Sequence, residues 1–300
     1  MKELCGIYPI VPTPFEPSGA VDVASIKSLA QFMLSHGADG LTILGVMGEA
    51  HKLTEPERDL VISTFRSEVP PSHTLIVGSS AAATYPALST AKRSAHLGAD
   101  ALLVAPVPIQ NDEIIFEYYR QIDSATEIPL VLHDYPAATG IVLAPSLINR
   151  LHRETQHIKY IKVEEQPTGL KIQKLQTLTG GTLGIFGALG GLYAYEELDR
   201  GAIGIMTGFA YPEILAKIYR LFRQGDDIGA RTLFYDALPL IRFEFQASLG
   251  VSLRKELLVR RGAIRHATVR HPGPVADTLS LQHLDRIIAH LHSRGIILSD

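Results

Sequence analysis

A single cysteine, no tryptophan and no large excess of either charge are the first features of the 300-residue chain. With Cys5 alone, neither an intrachain disulfide nor a cysteine-based zinc site can form, which fits a reducing compartment. The 28 basic and 31 acidic side chains are spread along the sequence and leave a net charge of −3, so there is no basic stripe for nucleic acid and no acidic tail. No apolar run approaches the length of a membrane span. The start, MKELCGIYPIVPTPF, lacks the basic segment and long apolar core of an export signal. The expectation is a cytoplasmic chain with neither nucleic-acid nor membrane partners. Low-complexity tracts are also missing, and 46% apolar content suffices for a large buried core.

What is present is an alternation. Short apolar, β-branched runs at 5–11, 40–44, 74–78, 101–105, 129–133, 157–163, 182–186 and 202–206 are separated by longer amphipathic segments at 22–36, 54–68, 84–97, 111–125, 144–153, 168–178, 191–200 and 211–224. Thr54-Glu55-Pro56-Glu57 reads as a capping box with proline in the first turn, and Gly37 and Gly98 sit where helices should end. Eight strand-helix units with near-continuous apolar strands predict a parallel sheet covered by helices, closed as an α/β TIM (β/α)8 barrel over residues 1–224. No G-x-G-x-x-G follows the first strand, which weighs against an open dinucleotide-binding sheet. Segments 227–248, 251–262 and 277–294, broken by HPGP at 271–274, predict a C-terminal three-helix extension over 225–300.

The chain is organised around HIKYIKVEE (157–165), which puts a lysine inside a strand. Strand alternation sets Ile161 and Val163 on one face and Tyr160, Lys162 and Glu164 on the other. An inward ammonium is costly unless paired, hydrated or neutral, and a neutral lysine is a nucleophile toward carbonyls. Pairing with Glu164 at a solvated strand end is the plainer alternative. In a barrel the site lies at the C-terminal ends of the strands, where Thr13, GVMGE (45–49), HDYP (133–136), Lys162 with Glu164, and GALGG (187–191) would converge.

PTPF (12–15), G-x-x-G-E followed by L-T-x-x-E-R (45–49, 53–58), P-L-V-L-x-x-x-P-x-x-T-G (129–140) and I-K (161–162) occur in one order and spacing. They resemble the dihydrodipicolinate synthase and N-acetylneuraminate lyase family of class I Schiff-base lyases, over about Gly6 to Gly262. The resemblance implies Lys162 as the imine-forming lysine, no cofactor beyond that covalent imine, a small 2-oxo acid substrate and a homo-oligomer, usually a tetramer. It also implies a substrate carboxylate held at Val46, Met47 and Gly48, with Thr13, Gly187, Ala188 and Ala138 lining the site and His133 or Tyr135 moving protons.

The departures restrict the activity. Family members carry hydroxyls where Val46 and Met47 stand, so backbone N–H groups alone remain there for the carboxylate. The family's tyrosine acid/base falls on His133, and the synthase's arginine for a second carboxylate falls on Ala138. A true dihydrodipicolinate synthase is therefore not expected. The expected reaction is a pyruvate-type aldol cleavage or a 2-keto-3-deoxy acid dehydration, with the aldolase slightly ahead. Glu49 is expected to hold the 45–49 turn in shape through loop backbone, and Tyr118 and Tyr119 to lie at the surface or an interface. The distal half of the substrate would face Val107, Pro108, Ile109, Ala137, Ala138 and the GALGG loop, while Arg242, Glu244, Gln246 and Arg254 read first as exposed or subunit contacts and second as lining an approach to the site. Two alternatives stand: a metal-dependent aldolase using His133, Glu49 or His51, without a recognisable ligand spacing, and a non-catalytic ligand-binding protein on the same barrel.

Overall fold

The computed structural model describes residues 3–297. Eight parallel strands run β1 (Gly6–Ile7), β2 (Gly40–Ile43), β3 (Thr74–Gly78), β4 (Ala101–Val104), β5 (Leu130–Asp134), β6 (Ile158–Val163), β7 (Gly184–Gly187) and β8 (Gly204–Ile205). The hydrogen-bonded order is β1-β8-β7-β6-β5-β4-β3-β2, and a bridge between Ile10 and Thr42 joins the ends. That bridge closes the (β/α)8 barrel.

Between the strands lie helices α1 (Val23–Ser35), α2 (Glu55–Glu68), α3 (Thr84–His96), α4 (Asp112–Ser124), α5 (Pro136–Thr139), α6 (Pro145–Glu154), α7 (Thr168–Thr179) and α8 (Ala194–Asp199). Then follow α9 (Pro212–Arg223), α10 (Asp227–Glu244), α11 (Gly250–Arg260) and α12 (Thr278–Ser293). The Thr54–Glu57 box caps α2 reciprocally, a device that contributes about 1 kcal/mol. Gly37 and Gly98 follow α1 and α3 with φ of +89° and +96°, a conformation that turns the chain directly into the next strand. The short α5 is an addition to the expected elements: Pro136 starts one turn of helix and Gly140, at φ +71°, stops it.

Strand alternation sorts the core into two layers. Tyr8, Ile10, Ile76, Leu103, Val131, Phe186 and Met206 fill the barrel, with Tyr160 packed against them. Leu41, Ile43, Leu102, Val104, Leu132, Ile161 and Val163 face the surrounding helices. Tyr118 and Tyr119 belong to that outer layer, not to the surface: both are buried, and their hydroxyls donate to the carbonyls of Ala81 (3.2 Å) and Val104 (2.9 Å). The α4 face that carries them turns inward. Helix α10 packs on α8 and α9 within the same hydrophobic cluster, which brings the α10–α11 connection over the barrel mouth.

Candidate active site

Val131 and Tyr160 are cross-strand partners inside the barrel, and two residues further on so are His133 and Lys162. Their side chains therefore emerge together at the C-terminal rim. Lys162 Nζ lies 3.2 Å from His133 Nε2, His133 Nε2 lies 3.1 Å from Glu164 Oε1, and Lys162 contacts the same Glu164 oxygen. All three are buried. Burial pulls the Lys162 amine from its ordinary value down to about 7, while the more distant carboxyls of Glu197 and Asp134 oppose the shift. Burial and the neighbouring Lys162 charge hold His133 well below its usual value, so its imidazole is neutral. Asp134 points the other way and pairs with Lys171 at 2.8 Å behind the strand. Both His133 and Tyr135 face the mouth; their rings stack 5.8 Å apart, and Lys162 Nζ lies 5.8 Å from the Tyr135 ring centre. Glu164 is thus a full member of the site, and the Lys162–Glu164 pairing foreseen for a solvated strand end occurs in a buried one.

The turn after β2 is bracketed by left-handed residues, Leu44 (φ +55°) and Glu49 (φ +52°). Gly48 N–H donates to the Gly45 carbonyl and Glu49 N–H to the Val46 carbonyl, so the turn's own bonds do not use the N–H groups of Val46 and Met47. A side chain at Gly48 would strike the Leu44 backbone, which explains glycine there. Gly48 and Thr13 were expected to touch substrate; neither lines the cavity, and the Thr13 hydroxyl instead donates to the Gly48 carbonyl at 2.7 Å. Glu49 is structural, but through other partners than loop backbone of its own turn. It accepts from Lys52 (2.7 Å), Lys255 (2.5 Å) and Arg270 N–H (3.1 Å), tying the turn to α11 and the segment after it.

Gly187 and Ala188 are also placed differently from expectation. A Cβ on Gly187 would meet Glu197 of α8, behind the barrel wall, and Ala188 is buried outside the cavity. The cavity is reached instead by Gly190, at φ +70° under the Phe245 ring, where any side chain would collide. Beside it Arg254 of α11 enters the mouth, 5% exposed. Its Nε–H donates to Glu244 Oε2 (3.3 Å), Nη1 lies 2.7 Å from Met47 Sδ, and Glu244 also accepts from Ala210 N–H at 3.1 Å. Arg254 and Glu244 are therefore not exposed contacts. Nothing in their local sequence signals this, because only the fold of the extension delivers them.

Lys162, His133, Tyr135 and Glu164 line one cavity together with Gly45, Val46, Met47, Thr207 and Arg254. A second lobe shares Gly45, Val46, Leu103 and His133 with the first and carries Ser80, His51, Arg58, Ala138 and Thr139. Of the expected distal wall, Ala138 and Gly190 of the GALGG loop line the lobes and Val107, Pro108, Ile109 and Ala137 do not, so the distal side is more polar than expected. As for the metal alternative, Glu49 is occupied by lysines, and the donors that do converge among the described residues are Glu16, Asp22 and His266, where Arg265 already pairs Glu16 and Asp22.

The Dihydrodipicolinate synthetase family model matches residues 3–291. The chain is 32% identical over 276 residues to L-2-keto-3-deoxyarabonate dehydratase of Azospirillum brasilense, covering 90% of this chain and 88% of that one. It is 30% identical to a 4-hydroxy-tetrahydrodipicolinate synthase of Synechococcus sp., with 82% of each covered. Among solved structures, dihydrodipicolinate synthase of Rhodopseudomonas palustris superposes with a TM-score of 0.92 at 34% identity, over 96% of this chain and 98% of that one. Among the described residues no helix is long and apolar enough to cross a membrane. With the eight-stranded barrel and the four sequence motifs, these matches make the chain a lyase of the dihydrodipicolinate synthetase family.

Proposed function

We propose that the chain is a lysine-imine lyase that dehydrates a 2-keto-3-deoxy sugar acid. The observation that carries this reading is the buried contact of Lys162 with His133 and Glu164 at the barrel mouth. An amine brought down to about 7 is substantially neutral at physiological pH and can add to the C2 carbonyl. Water leaves and the protonated imine draws electrons from C3. His133, neutral and beside the nitrogen, takes the C3 proton to give an enamine. The enamine electrons then expel the C4 hydroxyl, which accepts a proton from the Tyr135 phenol and departs as water. Hydrolysis of the conjugated imine frees Lys162. Glu164, in contact with both Lys162 and His133, compensates the charge of the imine. The imine is the electron sink, so the reading needs no metal or organic cofactor.

Dehydration is preferred over the aldol cleavage first expected because of the Azospirillum relative and because the second lobe offers Ser80 and His51 to a hydroxylated chain. Ala138, at the position of the synthase's arginine for a second carboxylate, speaks against a dihydrodipicolinate synthase, as do Val46 and Met47 in place of the family's hydroxyls. The assembly is read as a homo-oligomer, a dimer or tetramer, acting in the cytoplasm. Intact-mass analysis after borohydride reduction with pyruvate, beside Lys162→Ala, tests the imine. NMR of 2-keto-3-deoxy pentonates and hexonates incubated with the protein then separates loss of water from release of pyruvate. No adduct on folded protein would return the binding-protein alternative, and pyruvate release would return the aldolase.

A further inference from the structure

Arg254 carries more positive charge into the mouth than its partners account for. It is buried, and of its three nitrogens only Nε has a carboxylate, Glu244, at 3.3 Å. Nη1 rests on the Met47 thioether, a weak acceptor, and the buried Nη2 has no hydrogen-bond partner at all. A buried guanidinium left with open donors is costly unless an anion completes it. Arg254 lines the cavity that holds Lys162, and a Cβ on Gly208, which also lines that cavity, would come within 3.2 Å of Nη1. Glu244 lies on the far side, fixed by the Ala210 N–H. Glu244 therefore orients Arg254, and Nη2 is left without a partner in a residue that lines the mouth.

The adjoining wall is the 45–49 turn, which presents a valine and a methionine side chain and lacks hydroxyls. It is Met47, one of those two residues, whose sulfur touches Arg254. We propose that Arg254 binds the C1 carboxylate of the 2-oxo acid, so that anion recognition in this chain comes from the C-terminal helices and not from hydroxyls of the β2 turn. The proposal rests on the imine reading of Lys162. A planar guanidinium offering two N–H groups matches a carboxylate in the bidentate manner that a lone ammonium does not. Fixing C1 there leaves C2 toward Lys162 and sends C4 and beyond to the second lobe.

Borohydride trapping of the wild type, Arg254→Gln and Arg254→Lys, each with pyruvate and with its uncharged methyl ester, tests this. Pyruvate carries no charge other than C1, so a distal role for Arg254 cannot imitate the result. The wild type should be modified at much lower pyruvate than ester concentration. Arg254→Gln should need roughly 100-fold more pyruvate for half-maximal modification, as expected when a buried charged hydrogen bond loses a partner. Its demand for the ester should stay within about threefold, and Arg254→Lys, which keeps charge but not the fork, should fall between. A wild type indifferent to the ester, or a folded Arg254 variant that keeps the pyruvate preference, would overturn the proposal while leaving the imine intact. No adduct with either probe in the wild type would instead remove the imine reading and this proposal with it.

Discussion

His133 and Lys162 face each other across the β5–β6 ladder, and their Nε2 and Nζ atoms lie 3.2 Å apart on the inner side of the barrel. Burial depresses both, and the neighbouring Lys162 charge depresses the imidazole further. A neutral amine beside a neutral imidazole is the condition that the proposed imine formation and C3 deprotonation require.

A pH dependence follows from Lys162. Because its folded value is lowered to about 7, kcat/KM should rise about tenfold per pH unit below 7 and level above it. His133 is already neutral across that range and should add no second limb. Initial rates from pH 5.5 to 9 check this, and a flat profile would contradict a titrating lysine.

The roles of His133 and Tyr135 separate by their effects on trapping. His133→Gln and Tyr135→Phe should each lower turnover by about 100- to 10,000-fold, the usual contribution of a general acid or base. Both should still form the reduced pyruvate adduct, since neither supplies the nitrogen. Lys162→Ala should lose both activities. An adduct lost in Tyr135→Phe would move that phenol into the carbonyl-addition step.

Glu49 should behave as a structural anchor. It is 1% exposed and bridges Lys52 and Lys255, so Glu49→Gln leaves buried ammonium groups without their charge partner and should cost about 3 kcal/mol in urea unfolding. Lys255→Met should cost less, because the same Glu49 keeps Lys52 and the Arg270 N–H. Unchanged stability with lost turnover in Glu49→Gln would show a direct chemical role instead.

Behind β7, burial pushes the Glu197 carboxyl up to about 8. A carboxyl raised in the fold stabilises fully below its unfolded value of about 4.5, and that contribution is lost as pH rises to about 8. Glu197→Gln, which mimics the protonated acid, should therefore gain on the wild type as pH rises. A Tm advantage growing by at least about 2 °C between pH 5 and 8.5 is the expected scale. A difference independent of pH would mean that Glu197 is ionised throughout.

The strand side of the site was legible because strand geometry is local. Apolar runs and helix signals revealed eight units, and two-residue alternation put Lys162 and Glu164 on one face and turned Asp134 away from His133. The same rule set Glu164 among the residues expected at the mouth, where it meets Lys162 and His133. The loops were read less well, because residues adjacent in sequence diverge in space: Thr13 and Gly48 bind each other, and Gly187 backs onto Glu197 while Gly190 reaches the cavity.

By itself the sequence determined the barrel, its family motifs and the inward lysine, since periodicity and spacing need no knowledge of distant packing. The tertiary structure alone decided what surrounds that lysine. Long-range packing set the Lys162 value near 7, committed Glu49 to Lys255, opened a lobe at Ser80 and His51, and carried Arg254 from the C-terminal helices to the mouth. Those relationships depend on desolvation and on contacts between segments far apart in the chain, and local pattern records neither.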